Sequence, residues 1–191
     1  MKIAEYMYNI DLIKITASKD IPLLVRELYF GSFPEAERRP WADIERRIDS
    51  GDPYFNFYVL QHKGENVGFI TLWNLPANIY VEHFAVCADR RGAGIGADVI
   101  GRLTAADGLA SLCLPEKPLL LEVELPEESA EAARRVAFYT RNGLTALDDV
   151  PYFQPPYTDG LPDVPMMLMA SERPADPVIA ARVLHAIVYN Q

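Results

Sequence analysis

Apolar positions recur along the chain with two spacings, which separate predicted strands from predicted helices. Runs rich in β-branched and aromatic residues predict strands at residues 11–16, 55–60, 67–73, 79–87, 118–124 and 164–169. Apolar residues three or four positions apart predict helices that start near residues 20, 41, 97, 126 and 176. Three of these strands, 55–60, 67–73 and 79–87, are connected by short turns and are expected to run antiparallel before the helix that follows the central strand 79–87. This order indicates a mixed α/β fold with an antiparallel first half, and a nucleotide-binding βαβ repeat would not begin this way.

Helix ends are indicated by capping residues. Asp20 and Pro22 predict the start of the first helix, and the acidic segment that begins at Pro126 predicts the start of the fourth. Gly143 is placed to end that fourth helix, and Asp176 followed by a proline predicts the start of the last one. The terminal helix, residues 176–189, carries an apolar stripe that must pack on the domain or on a partner.

The central strand carries a carboxylate among large apolar residues. Because successive side chains alternate faces, one face should carry Tyr80, Glu82, Phe84 and Val86, and the other Val81, His83, Ala85 and Cys87. Glu82 is the candidate general base, and the alternative is a structural acid bonded to a neighbouring strand. His83, on the opposite face, is expected to be a core residue.

A glycine-rich loop follows the central strand. Its sequence, Arg91-Gly92-Ala93-Gly94-Ile95-Gly96, places a glycine at every second position just before a predicted helix. Backbone N–H groups there can turn toward a ligand, and the positive end of the helix dipole lies at the same place. The loop therefore predicts a phosphate site. It lacks the Gly-Lys-Ser/Thr of a P-loop, while Gly92-x-Gly94-x-x-Ala97 formally satisfies the weak dinucleotide fingerprint.

The same stretch resembles the signature of the GNAT superfamily of N-acetyltransferases. Arg91-x-x-Gly94-x-Gly96 and the preceding Phe84-Ala85-Val86 match it, and the segment from Phe138-Tyr139 to Gly143-Leu144 resembles a later motif of the family. The resemblance implies one domain over residues 1–191, with a central, mostly antiparallel mixed sheet of about seven strands flanked by helices. It also implies that the central strand splays from its neighbour.

The resemblance further implies acetyl transfer from acetyl-CoA to an amine. The loop backbone would hold the pyrophosphate with charge from Arg91, and the central strand would pair with the pantetheine arm. The implied donor-binding residues are Phe84, Ala85, Val86, Arg91, Gly92, Ala93, Gly94, Ile95, Gly96 and Ala97. By the motif match, Tyr139 would protonate the leaving thiolate, although an aromatic core residue at that helical position is the plainer alternative.

Candidate acceptor residues lie on a strand and in a loop. Glu122 and Glu124 share a face of an apolar strand, so they either reach solvent or meet a ligand amine. Phe33 and Glu35 lie between the first two helices, where the family commonly lines its acceptor pocket, but they equally fit an ordinary surface loop. Arg38 and Arg39 are expected to be solvated. The proline-rich arm, residues 148–165, could wall the pocket, support the fold or form a homodimer contact.

Composition narrows the alternatives. The 191 residues carry a net charge of −9 without a basic block, which argues against nucleic-acid or anionic-membrane binding. Cys87 and Cys113 lack metal-ligand spacing, so no metal is expected and both thiols should be reduced and buried. No signal segment or membrane span is apparent, which predicts a cytoplasmic protein. The competing hypotheses are an acyl-CoA-binding module without turnover and a dinucleotide-dependent oxidoreductase.

Overall fold

The computed structural model describes residues 10–105, 107–158 and 160–190. Eight strands are found there: β1 Asp11–Ile15, β2 Phe55–His62, β3 Glu65–Asn74, β4 Ile79–Val86, β5 Leu119–Glu124, β6 Thr145–Ala146, β7 Tyr152–Gln154 and β8 Val164–Ala170. The helices are α1 Leu23–Ser32, α2 Trp41–Ser50, α3 Ile95–Thr104, α4 Ala130–Arg141 and α5 Pro177–Leu184, which continues as one π-helical turn, His185–Tyr189. The predicted mixed α/β class is confirmed.

The strands form one sheet in the order β1-β2-β3-β4-β5-β8-β6, with β7 also paired to β8. Every pairing is antiparallel except β4 with β5, which is parallel. The parallel pair is joined through α3, as a parallel connection requires. The mostly antiparallel sheet predicted from the resemblance is thus confirmed.

The parallel pair separates after three residues. Pairing runs from Ile79 with Leu119 to Val81 with Leu121, and beyond this point β4 continues to Val86 and β5 to Glu124 without pairing to each other. The predicted splay is confirmed, and it opens a V-shaped gap in the middle of the sheet.

Helices cover both faces of the sheet. Buried residues of α1, α2 and α5 share one apolar core with one face, while those of α3 and α4 share a second core with the other. The stripe of the terminal helix packs into the first core through Leu184 and Val188. Asp176 caps that helix as predicted, because its side chain accepts a hydrogen bond from the Ile179 amide at 3.0 Å.

A β-bulge at Glu82 changes the faces of the central strand. Thr71 pairs with His83 while the next residue, Leu72, pairs with Val81, so Glu82 has no partner in β3. A bulge re-aims the side chains that follow it. Tyr80 therefore packs in the core with α1, whereas Phe84 packs with α3 and α4. The predicted alternation along the whole strand is wrong beyond the bulge.

Two helix starts differ from the prediction. The fourth helix begins at Ala130, after Ser129, whose hydroxyl accepts a hydrogen bond from the Ala132 amide. The Ser129 hydroxyl, which caps the first turn directly, fixes the start of this helix more strongly than the acidic residues before it. The first helix begins at Leu23 with Pro22 at the N-cap position, and Asp20 belongs to a preceding 3₁₀ turn. Both cysteines are free, but Cys113 is exposed, so the expectation that both are buried is wrong for it.

Candidate active site

A cleft of about 950 Å³ occupies the gap between β4 and β5. Its walls come from the ends of both strands, the glycine-rich loop, one side of α4 along its whole length and the segment that follows α1. Most of the predicted site residues meet here. The exceptions are Ala93 and Glu35, which are exposed and do not belong to the cleft wall.

The glycine-rich loop forms one end of the cleft. Gly92 and Gly94 adopt φ values of +78° and +83°, which other residues rarely adopt. A Cβ on Gly96 would come within 3.0 Å of the Phe138 ring, so this glycine permits α3 to pack on α4. No acceptor among the described residues bonds the amides of residues 92–97. The loop thus presents a set of free N–H groups to the cleft at the N-terminus of α3.

The edge of β4 forms the next part of the wall. The Cys87 amide donates to the Val67 carbonyl at 2.9 Å, so backbone groups of Ala85 and Cys87 turn toward β3. By the alternation of an antiparallel ladder, the backbone groups of Phe84 and Val86 turn toward the gap. The Arg91 side chain crosses the end of this edge and donates from Nε to the Val86 carbonyl at 3.1 Å.

Tyr139 lies in the last turn of α4 and lines the cleft. It is 8% exposed, and none of the described residues forms a hydrogen bond with its hydroxyl. Burial raises the pKa of this phenol to about 12. The hydroxyl therefore stays protonated at neutral pH and can donate a proton within the cleft.

Glu82 is bound by a buried arginine. Its fully buried carboxylate accepts hydrogen bonds from Arg39 Nε at 2.9 Å and from the Tyr157 hydroxyl at 3.0 Å. Arg39 Nη2 lies 2.7 Å from the same carboxylate oxygen and completes the ion pair. Burial alone would raise the pKa of Glu82, but the Arg39 guanidinium and then His83 hold it well below its ordinary value. Arg39 is 3% exposed, so the expectation that it is solvated is wrong.

His83 is a buried residue, as predicted, but it lies on the same side of the sheet as Glu82. Its ring packs edge-on against Phe33 at a centroid distance of 4.7 Å, and its Nε2 lies 3.2 Å from the Glu37 carbonyl. The bulge in β4 explains why two consecutive side chains share one side.

Glu122 is surrounded by three tyrosines. Its Oε1 accepts hydrogen bonds from the hydroxyls of Tyr80 at 2.8 Å, Tyr152 at 2.7 Å and Tyr189 at 3.0 Å. Burial raises the pKa of Glu122 to about 7, although each of these hydrogen bonds opposes the rise. Unlike Glu82, this carboxyl changes its charge near neutral pH.

The remaining acids lie nearer the side of the cleft formed by the segment after α1. Glu124 is paired with Arg135 of α4. Glu37, which the sequence analysis did not select, lines the cleft, and burial followed by repulsion from Glu124 raises its pKa to about 7. Phe33 also lines the cleft, so one of the two loop candidates reaches it.

The sequence analysis missed Arg39 and the four tyrosines at positions 80, 152, 157 and 189 as members of the site. They come from four separate segments, so no local spacing connects them. Tyr152 and Tyr157 show that the proline-rich arm supports the site from behind its carboxylates. His185 of the terminal turn is half-buried, and its Nε2 lies 3.1 Å from the Phe153 carbonyl of the arm.

Across the described part of the chain, no group of three or more His, Cys, Asp and Glu side chains could hold a metal ion. In those same residues, none of the helices is long and apolar enough to cross a membrane.

Comparisons with known proteins agree on the class of protein. Residues 53–144 match the family model of the acetyltransferase (GNAT) domain. A putative GNAT-family acetyltransferase from Bacteroides thetaiotaomicron is 33% identical, with 88% of this chain and 91% of that one covered and a TM-score of 0.73. The fold is that of a GNAT acetyltransferase. The chain belongs to the GNAT family.

More distant structures share the fold. A GNAT acetyltransferase from Elizabethkingia anophelis with acetyl-CoA bound is 17% identical over 86% of this chain and 99% of that one, with a TM-score of 0.56. Naa50 from Arabidopsis thaliana, in complex with the bisubstrate analogue CoA-Ac-MVNAL, is 16% identical over 86% and 99%, with a TM-score of 0.57. A search of curated proteins gives no match.

Proposed function

We propose that the protein transfers the acetyl group of acetyl-CoA to a primary amine of a small molecule by direct attack. The observation that carries this proposal is the meeting of a free strand edge, a set of free loop amides and the Tyr139 hydroxyl in one cleft. These are the groups needed to hold a pyrophosphate, an amide-containing arm and a leaving thiolate. The acetyl-CoA and CoA analogue bound to the two distant structures support the choice of donor.

The donor would lie along β4. The amides of residues 92–97 would bind the pyrophosphate at the N-terminus of α3, where the helix dipole favours negative charge. The edge at Phe84 and Val86, which β5 leaves unpaired, would pair with the amides of the pantetheine arm, as an added strand would. The Val86 carbonyl would keep its hydrogen bond from Arg91 Nε beside that arm. One backbone N–H of this edge would also stabilise negative charge on the thioester oxygen during attack.

The thiolate of coenzyme A would leave toward Tyr139. A protonated phenol in the cleft can donate to the sulfur as the carbon–sulfur bond breaks. Because burial keeps the pKa of Tyr139 at about 12, the proton is available throughout the neutral range. Tyr139 is therefore proposed as the general acid.

The acceptor would enter from the side of Phe33, where the cleft wall is aromatic and acidic. Glu122 and Glu124 would attract a protonated amine, and Glu35 would act only at the mouth because it lies outside the cleft wall. That Glu82 is the base stays a prediction. Its ion pair with Arg39 makes the carboxylate a weak proton acceptor, and this pair better suits a fixed negative charge that orients neighbouring groups.

Two experiments test the proposal. Thermal-shift and calorimetric titrations with acetyl-CoA, CoA, NADH and NADPH identify the donor. A thiol-release assay over a panel of diamines, polyamines, amino acids and aminoglycosides then identifies the acceptor. Acetyl-CoA at a hundredfold excess over its Kd should stabilise the fold by about 2.7 kcal/mol. With at least one amine of the panel, the enzyme should release free coenzyme A and form the acetylated amine. Binding without turnover of any amine would favour the acyl-CoA-binding module, and stabilisation by a nicotinamide cofactor alone would favour the oxidoreductase.

A further inference from the structure

Two buried carboxylates line the cleft, and they differ in whether a cation is bound to them. Glu82 is ion-paired with Arg39, whose guanidinium is fixed in turn by the Val188 carbonyl at 2.8 Å. Among the residues that the structure describes, the hydrogen-bond donors to Glu122 are tyrosine hydroxyls and none of them is a cation. A proton released in the cleft would therefore be held more readily by Glu122.

We propose that Glu122 takes the proton from the acceptor ammonium, with three tyrosine hydroxyls holding its carboxylate in position. This inference rests on the proposed function. It assigns the base to β5 rather than to the bulge of β4. Tyr80, Tyr152 and Tyr189 would then be positioning residues, since each acts through Glu122.

The two carboxylate oxygens of Glu122 differ in how many hydrogen bonds they accept. Oε1 accepts from all three hydroxyls, whereas Oε2 receives only the shared Tyr189 hydroxyl at 3.1 Å. A carboxylate oxygen can accept two or more hydrogen bonds, so Oε2 retains capacity for an ammonium proton. The hydroxyls also stabilise the charged form, which keeps the carboxyl able to ionise despite its burial.

The charged and titratable groups around Glu122 come from several elements. Tyr80 and Glu82 face it from β4, Tyr152 from β7 and Tyr189 from the terminal turn, while Tyr157 is coupled to it electrostatically. Its pairing partner on β8 is the apolar Leu168. Glu124 on the same strand is compensated by Arg135 of α4. The negative charge of Glu82 therefore raises the pKa of Glu122, whereas the hydrogen bonds from the tyrosine hydroxyls lower it.

The proton balance closes without another reactant. The ammonium gives one proton to Glu122, and the free amine forms a bond to the acetyl carbon. As the carbon–sulfur bond breaks, Tyr139 gives its proton to the thiolate. The second proton lost from the nitrogen restores the Tyr139 hydroxyl, directly or through one water, and Glu122 returns its proton to solvent. The products are the acetamide, free coenzyme A and one proton.

The test compares the pH dependence of kcat/KM for the wild type, Glu122→Gln and Glu127→Gln, using the best amine of the panel. In the wild type the rate should rise with pH to a plateau above about 7. Glu122→Gln should lower the plateau by about 10²-fold or more and remove this rise, with acetyl-CoA affinity unchanged. Glu127 is exposed just beyond β5 and outside the cleft wall, so its variant should keep the wild-type profile.

Tyr152→Phe separates the proton role from a structural one. Loss of one donor to the carboxylate should move the rise in the rate to higher pH, with little change in the plateau. A profile of Glu122→Gln that matches the wild type in an active enzyme would overturn the inference and leave the proposed function intact. Absence of acetyl transfer by the wild type would instead contradict the proposed function. Carbon-13 NMR of labelled glutamates checks the ionisation directly, and a Glu122 signal that titrates at the ordinary value would also overturn the inference.

Discussion

Tyr139 is the residue whose proposed role depends most directly on its surroundings. Tyr139 lines the cleft, its hydroxyl has no hydrogen-bond partner among the described residues, and burial keeps that hydroxyl protonated. Tyr139→Phe removes the proton donor while leaving the packing of the ring. We expect kcat to fall by about 10²-fold or more, because a general acid typically contributes that much, while the Kd for acetyl-CoA changes little.

Steady-state kinetics with calorimetry of acetyl-CoA binding checks this expectation. Tyr54→Phe serves as the matched control, because Tyr54 is 47% exposed and lies outside the cleft wall. An unchanged kcat in Tyr139→Phe would remove this residue as the general acid.

Arg39 is a buried cation that contacts residues far from it in the sequence. It binds Glu82 and the Val188 carbonyl, and its guanidinium stacks on the Trp73 ring at 5.0 Å from the centroid. Arg39→Met leaves Glu82 buried without a counter-charge. We expect the free energy of unfolding to fall by about 3–5 kcal/mol, since removal of one member of a buried pair has this effect.

Urea denaturation of the single variants Arg39→Met and Glu82→Met and of the double variant measures the coupling. The double variant should lose less stability than the two single losses combined. Arg46→Met is the control, because Arg46 forms an exposed pair with Asp43 and should change stability by less than about 1 kcal/mol. Equal effects at positions 39 and 46 would contradict the structural role assigned to Arg39.

The residues of this cluster show where sequence reasoning ends. The glycine-rich loop and Tyr139 could be predicted as site residues because each belongs to a motif of residues that are adjacent in the sequence. The face of Glu82 and the burial of Arg39 could not, because the first depends on a bulge against β3 and the second on contacts with the terminal turn. A regular alternation predicts a strand well, but it gives no sign of an inserted residue.

At the level of elements, the start of α3 links backbone conformation to donor binding. Gly94 is the N-cap of this helix at φ +83°, and Gly101 lies on its exposed surface with open space around it. Gly94→Ala should destabilise the fold by about 1–2 kcal/mol, because a Cβ is disfavoured in the left-handed region. Any relaxation of this turn should also weaken acetyl-CoA binding.

Gly101→Ala is the matched substitution in the same helix. It should raise stability by up to about 1 kcal/mol, because alanine is favoured over glycine in a helix interior. Thermal denaturation and calorimetry of both variants measure the two effects. Similar acetyl-CoA affinity in Gly94→Ala and the wild type would show that the left-handed turn is not needed for donor binding.

Element existence could be read from the sequence more reliably than element ends. Apolar spacing located the major strands and helices, including the terminal helix with its Asp176 cap. The start of α4 was misplaced, because acids at residues 127 and 128 favour any nearby helix N-terminus whereas a single hydroxyl, that of Ser129, sets it. The short strands β6 and β7 form only by pairing with β8, so they lack a pattern of their own.

For the whole molecule, the two carboxylates of the cleft predict opposite effects of pH on stability. The pKa of Glu82 is depressed on folding, so its contribution is present above the ordinary value and is lost only as pH falls toward the lower folded value. The pKa of Glu122 is raised from 4.5 to about 7, so the folded state binds this proton more tightly than the unfolded state. The stability from Glu122 is therefore full below pH 4.5 and is lost as pH rises through 7.

A rise of between two and three pKa units corresponds to about 3 kcal/mol. We therefore expect Glu122→Gln, which cannot ionise, to lose less stability than the wild type when pH is raised from 5 to 8. Glu37, whose pKa is also raised by burial, is present in both proteins, so the difference between them isolates Glu122. Urea denaturation across this range measures the two slopes. Parallel curves would mean that Glu122 ionises alike in the folded and unfolded states, and burial would then not raise its pKa.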